Sequence, residues 1–163
     1  MADNSKKPPA GTEKKANRRG AARLAAVQAL YQMETAGSSA ATALQDLSAG
    51  RLPANEAGPT DGEVDSGLFR LVVENAVTHQ GAIDTEIARA LAQGWKLERI
   101  DAVARAILRA GSIGIWARPE TPLAVLLDEY VEIAKDFFEG AEPGFINACL
   151  QACAPRLRGG DVG

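Results

Sequence analysis

Apolar residues recur along this chain every three or four positions, and no stretch alternates with the period of two that marks a half-buried strand. The first such segment is predicted as a helix from about Arg18 to Thr35. Asn17 is placed to cap it, Leu24, Val27, Leu30 and Tyr31 give it an apolar side on which Tyr31 is read as packed, and Gly37-Ser38-Ser39 stops it. A shorter helix is predicted over Ala40 to Ala49, ended by Gly50 and Pro53, and the polar run from Asn55 to Asp65 reads as a surface loop. Leu68, Phe69, Val72, Val73, Ala76 and Val77 then mark a core helix from about Asp65 to Gln80. Gly81 is a candidate break. Beyond it, Ile83, Ile87 and Leu91 form a further helix with Asp84 as its candidate cap, ending at Gly94.

The stripe Leu97, Ile100, Val103, Ala104, Ile107 and Leu108 predicts another helix, with Asp101 and Arg105 as a surface pair and Gly111 and Gly114 interrupting its end. Thr121-Pro122 reads as a strong start, threonine capping and proline at the first helical position, for a helix reaching about Glu139. The last helix is expected over Phe145 to Ala154, blocked by Pro155. Seven helices with mostly short connections predict an all-α, antiparallel bundle in one domain. Residues 1–16, with Pro8-Pro9, Gly11 and four lysines, are expected to be a disordered basic arm, residues 17–158 the folded domain and 159–163 a flexible end.

Composition supports that outline and adds an asymmetry. Hydrophobic residues are 46% but aromatics only 5%, which suits closely packed, alanine-rich helices. Residues 1–23 carry seven bases against Asp3 and Glu13, a local +5, so the remainder of a chain of net charge -3 carries -8. An acidic body with a basic head holds a polyanion at one end. The chain contains neither an apolar run of membrane-spanning length nor a secretory h-region, so a cytoplasmic protein is expected.

Catalytic chemistry is sparse. His79 is the one histidine and reads as a boundary residue, while Cys149 and Cys153, four apart on one helix, read as small buried hydrophobes rather than half of a zinc site. Asp128, Glu129 and Glu132 read as a solvated helix face, and no phosphate-binding glycine loop, dinucleotide fingerprint or nucleophile elbow occurs. No enzyme activity, metal or cofactor is expected.

Four stretches in order resemble the NusB family of bacterial transcription antitermination proteins: Arg18-Arg19 with Arg23 and Ala26-Val27-Gln28-Ala29-Leu30-Tyr31; Leu97-Glu98-Arg99-Ile100 through Arg105-Ala106-Ile107-Leu108-Arg109; Pro122 to Lys135; and Gly144-Phe145-Ile146-Asn147. The resemblance covers about residues 17–158. It implies a seven-helix domain of two sub-bundles that catalyses no reaction. It also implies binding to the boxA element of ribosomal RNA leader transcripts together with the ribosomal protein NusE, inside an RNA polymerase antitermination complex. The state of association is open, a homodimer included.

On that resemblance Arg18, Arg19 and Arg23 are the candidate phosphate ligands, since guanidinium also stacks on and forks to bases. Arg19 and Arg23, four apart, share a helix face. Phe145 is either a base-stacking ring or a core anchor in step with Cys149 and Cys153. Asn147 either meets a base edge or caps the turn, and Gln28 lies on the family-like first helix. Two departures stand out: the turn Glu139 to Gly144 offers no lysine or arginine, and Ser112-Ile113-Gly114-Ile115 replaces the family's Tyr-Glu-Leu ending. The competing reading is a helical protein-interaction or oligomerisation module without specific RNA binding, its basic tail a solubilising arm. A third, the RNA-binding part of an RNA cytosine methyltransferase, finds no room for a catalytic domain in this sequence.

Overall fold

The computed structural model describes residues 10–49, 64–91 and 94–159, with side chains from Asn17 onward. Seven α-helices follow one another: α1 Ala10–Ala36, α2 Ala40–Ser48, α3 Ser66–Thr78, α4 Gln80–Ala90, α5 Ala102–Ala117, α6 Leu123–Phe137 and α7 Glu142–Gly159. A single 3-10 turn, Leu97–Arg99, precedes α5, and no strand occurs among the described residues. The all-α expectation holds. Most of the expected loop at Asn55 to Asp65, the first nine residues and the last four lie outside the described residues.

Helix α5 is the axis of the molecule. Its residues from Ala106 to Leu108 and from Ala110 to Ile115 are buried, and α1, α3, α4, α6 and α7 all pack on it. Glycine makes the closest approaches possible. A methyl group at Gly111 would stand 2.9 Å from Leu150 Cδ1, and one at Gly114 would stand 3.2 Å from the Tyr130 hydroxyl. The two glycines expected to interrupt α5 are therefore what lets α6 and α7 seat on it, and burial on all sides offsets the roughly 1 kcal/mol that each costs in helix propensity. Gly111→Ala should lower the unfolding free energy by about 1–2 kcal/mol despite the better propensity, because the fully buried Leu150 has no room to give. Gly114→Ala should cost less; urea titration checks both.

Acceptor side chains start three helices: Ser39 accepts from Thr42 N–H at 3.1 Å, Asp65 from Leu68 N–H at 3.0 Å, and Asp101 from Val103 N–H at 2.8 Å. Several boundaries differ from the sequence reading. Helix α1 begins at Ala10, inside the segment expected to be disordered, because the residues after Pro9 include the helix formers Ala10, Glu13, Lys14, Lys15 and Ala16 and no further proline. Asp101 caps α5 instead of pairing with Arg105. The α3–α4 break falls at His79 rather than Gly81, which leaves Asp84 inside α4 as an ion-pair partner and not a cap. Thr121 gives α6 no side-chain cap.

Helix α7 runs through Pro155 to Gly159. A proline there forfeits one backbone bond and costs about 3 kcal/mol, but the turn beyond it is well anchored. Leu157 is buried, Arg156 donates to Glu86 at 2.6 Å, and Arg158 donates to the carbonyls of Ile115, Arg118 and Thr121. Those three bonds serve the carbonyl end of α5 and the turn behind it.

Candidate nucleic-acid interface

At the head of the domain, the candidate arginines on α1 have three different environments. Arg19 is exposed and makes no ion pair among the described residues. Arg18 is half-buried, and its carbonyl accepts from Asp65 N–H at 3.2 Å, which ties the start of α1 to the start of α3. Arg23 departs from the expectation of a solvent-facing cation on the Arg19 face: it is 4% exposed, and its guanidinium lies 3.7 Å from the Glu129 carboxylate on α6. The small residues Ala22, Ala25 and Ala26 draw α1 close to its neighbours, and Arg23 is caught in the seam between α1 and α6. Below it, burial pushes the Tyr130 hydroxyl well above the ordinary phenol range, with Arg23 opposing that shift. Glu129, read as solvated, is thus partly an internal counter-ion. Gln28 is half-buried, and Tyr31, expected to pack, is 37% exposed.

The second group of candidates lies on α7. Phe145 is half-buried against the core, and Asn147 is also half-buried. Phe145 faces a residue that the sequence reading missed: the Trp95 ring lies 6.0 Å from it, tilted by 41°. Trp95 is 58% exposed. It follows Gly94, whose φ of +94° is the left-handed turn that glycine takes without strain. An aromatic next to a glycine on a connection, outside every apolar stripe, was the available signal.

Helix directions fix the relation between the two groups. Leu150 meets Gly111 and Arg158 reaches Ile115, so α7 runs parallel to α5; Glu34 near the end of α1 pairs with Arg105 near the start of α5, so α1 runs antiparallel to it. The arginines therefore sit toward the C-terminal end of α5, while Phe145, Asn147 and Trp95 lie toward its N-terminal end. At 1.5 Å of rise per residue the separation along the axis is roughly 15 Å. The exposed face of α6 nearby is acidic, with Asp128, Glu132 and Asp136 against Lys135, which itself pairs with Glu132 at 3.1 Å.

Beside the N-terminal end of α5, an ionic cluster joins three helices. Arg109 donates to both carboxylate oxygens of Asp84, at 2.8 and 2.9 Å, and to Glu34 at 2.9 Å; Arg105 donates to Glu34 and to the carbonyls of Leu97 and Ile100. Burial works against the Arg109 charge, and its bonds to Asp84 and Glu34 outweigh it. The cluster borders a cleft of about 780 Å³ lined by Leu30, Met33, Val77 and Leu97 among others. Val77, expected in the core, is half-exposed on its wall.

Arg105 holds the Glu34 carboxyl below its usual value of 4.5, and Arg156 does the same for the buried Glu86. A carboxyl whose folded value is depressed stabilises fully above its unfolded value and loses that contribution as pH falls through the folded one. Urea midpoints should therefore drop steadily below about pH 4.5. The fall should be shallower in Glu34→Gln and Glu86→Gln; equal acid slopes in wild type and variants would contradict this.

His79 packs edge-on against Trp116 at 4.6 Å, as a boundary residue does. Cys149 and Cys153 are free and buried, and the hydrogen bond that the Cys149 thiol donates to Cys153, together with burial, pushes the Cys149 thiol up, away from reactivity. No cluster of metal-binding side chains occurs among the described residues, and none of their helices is long and apolar enough to cross a membrane.

An alanine-rich bundle around a buried α5, headed by an arginine-bearing first helix, defines an all-helical domain. The NusB family profile matches residues 20–155. A transcription antitermination protein NusB of Bradyrhizobium diazoefficiens is 44% identical over all of this chain and 99% of its own length, and one of Caulobacter vibrioides is 46% identical over 86% of this chain and 94% of its own. The solved NusB of T. maritima superposes with a TM-score of 0.66 at 27% identity, over 83% of this chain and 89% of that one. The chain belongs to the NusB family.

Proposed function

We propose that this antitermination factor binds boxA RNA of ribosomal leader transcripts together with NusE, in the cytoplasm, within the RNA polymerase complex that resists termination, and that it catalyses no reaction. The observation that carries the reading is the arginine-bearing head of α1 on an otherwise acidic body, in a chain that belongs to the NusB family. Arg18 and Arg19 meet phosphates there, Arg23 fixes the α1–α6 seam beneath them, and Gln28 lies on the same helix. Phe145 stacks on a base and Asn147 meets a base edge. A single strand spanning both groups follows the length of α5.

Titrating labelled boxA RNA and a scrambled strand of equal length, with and without NusE, tests the proposal. Tighter binding of boxA, strengthened by NusE and weakened by salt, is the expected result. Equal binding of the two strands in the presence of NusE would sink it. The cleft beside Glu34 and Arg105 favours the second reading, a protein-interaction module, which the same titration separates: partner capture with no RNA preference would support it.

A further inference from the structure

We propose that Trp95 and Phe145 together form a stacking platform for unstacked RNA bases, with Trp95 the more accessible ring. The inference rests on the RNA-binding reading above and adds a residue that reading does not contain. Trp95 leaves more than half of its surface in water, a costly placement for the largest apolar side chain unless a ligand covers it. Gly94 turns the chain so that the indole stands beside Phe145, whose own ring is anchored in the core and gives the platform a rigid back. Single-stranded nucleic acid is held by such rings because every base has a stacking face.

The flanking charges suit an uncharged ring ligand. Lys96 and Arg99 are exposed and unpaired among the described residues, but Glu98 lies between them in the chain and Glu142 opens the helix that carries Phe145, so these four charges sum to zero while the α1 end supplies the cations. The division makes the platform's contribution distinct. Removing Trp95 should weaken binding without altering its salt dependence, whereas removing an arginine alters both.

The protein contains two tryptophans, and Trp116 lies against His79 in α5, so Trp116→Phe leaves Trp95 as the sole reporter. Titrating that variant with single-stranded boxA RNA, a scrambled single strand and a duplex of the same sequence should give strong quenching of Trp95 by both single strands and little by the duplex, whose bases are already stacked. Trp95→Ala should weaken single-strand binding by about 5- to 150-fold with an unchanged salt slope, and Trp95→Phe should retain most of the affinity. Its exposed position leaves thermal stability unaltered. Unchanged fluorescence and affinity, with boxA still preferred over the scrambled strand, would overturn the platform and leave the proposed function standing. Loss only of the NusE-dependent gain would also overturn it, in favour of a protein contact. Quenching by both single strands without any boxA preference would support the platform while the proposed function failed.

Discussion

Arg109→Ala should lower the unfolding free energy by about 3–5 kcal/mol, a larger loss than any other single charge removal in this domain. The side chain is only 16% exposed, and its loss strands Asp84, which has no other ion pair among the described residues, and removes one of the two cations on Glu34. Three helices meet at that guanidinium: α1 through Glu34, α4 through Asp84 and α5 through Arg109 itself. Arg109→Lys should recover less than half of the loss, because an ammonium cannot make the paired bonds to both Asp84 oxygens. Chemical denaturation with a constant m-value would register the effect; a midpoint within error of wild type would mean that water replaces the ligand without cost.

The second large effect concerns RNA. Replacing Arg18 and Arg19 together with alanine should weaken boxA binding by roughly 10- to 100-fold and reduce the salt slope by about 1.4, from about 0.7 for each phosphate contact on a single strand. Arg19 is exposed, so Arg19→Ala alone should lower affinity while changing thermal stability little. Arg23→Ala is expected to behave differently. It leaves Glu129 without its counter-ion in the α1–α6 seam, so a loss of affinity there should be accompanied by a lower unfolding midpoint. If the double variant kept both its affinity and its slope, the phosphate contacts would have to lie elsewhere than the head of α1.

Much of this molecule is legible in the spacing of its apolar residues. Leu68, Phe69, Val72 and Val73 are buried as the period of α3 requires, and Ile83 and Ile87 fix the inner face of α4 in the same way. What the pattern cannot express is proximity between distant segments. Gly111 and Gly114 read as interruptions because, taken alone, glycine weakens a helix; only Leu150 and Tyr130, brought in by α7 and α6, turn them into contact points. Pro155 read as a stop for the same reason, since the anchors that repay it, Glu86 and the carbonyls around Arg118, lie far away in sequence.

The candidate interface divides along the same line. Arg19 lies on the surface, as a charged residue outside the apolar stripe should, whereas the burial of Arg23 depends on Glu129, more than a hundred residues further on. Trp95 escaped notice because periodicity says nothing of a residue on a connection. Its pairing with Phe145 is a product of the antiparallel run of α4 beside α7.

The glycine-lined side of α5 also sets the order in which the domain can be completed during synthesis. The ribosome delivers α1 to α6 before α7, and until Leu150 arrives the groove at Gly111 and the inner side of Tyr130 have no cover. A chain stopped before Glu142 is expected to stay collapsed without its native packing, which becomes available only when the last helix has emerged. The arrival of α7, rather than of the arginine-bearing head, is therefore the step that completes the packing around α5.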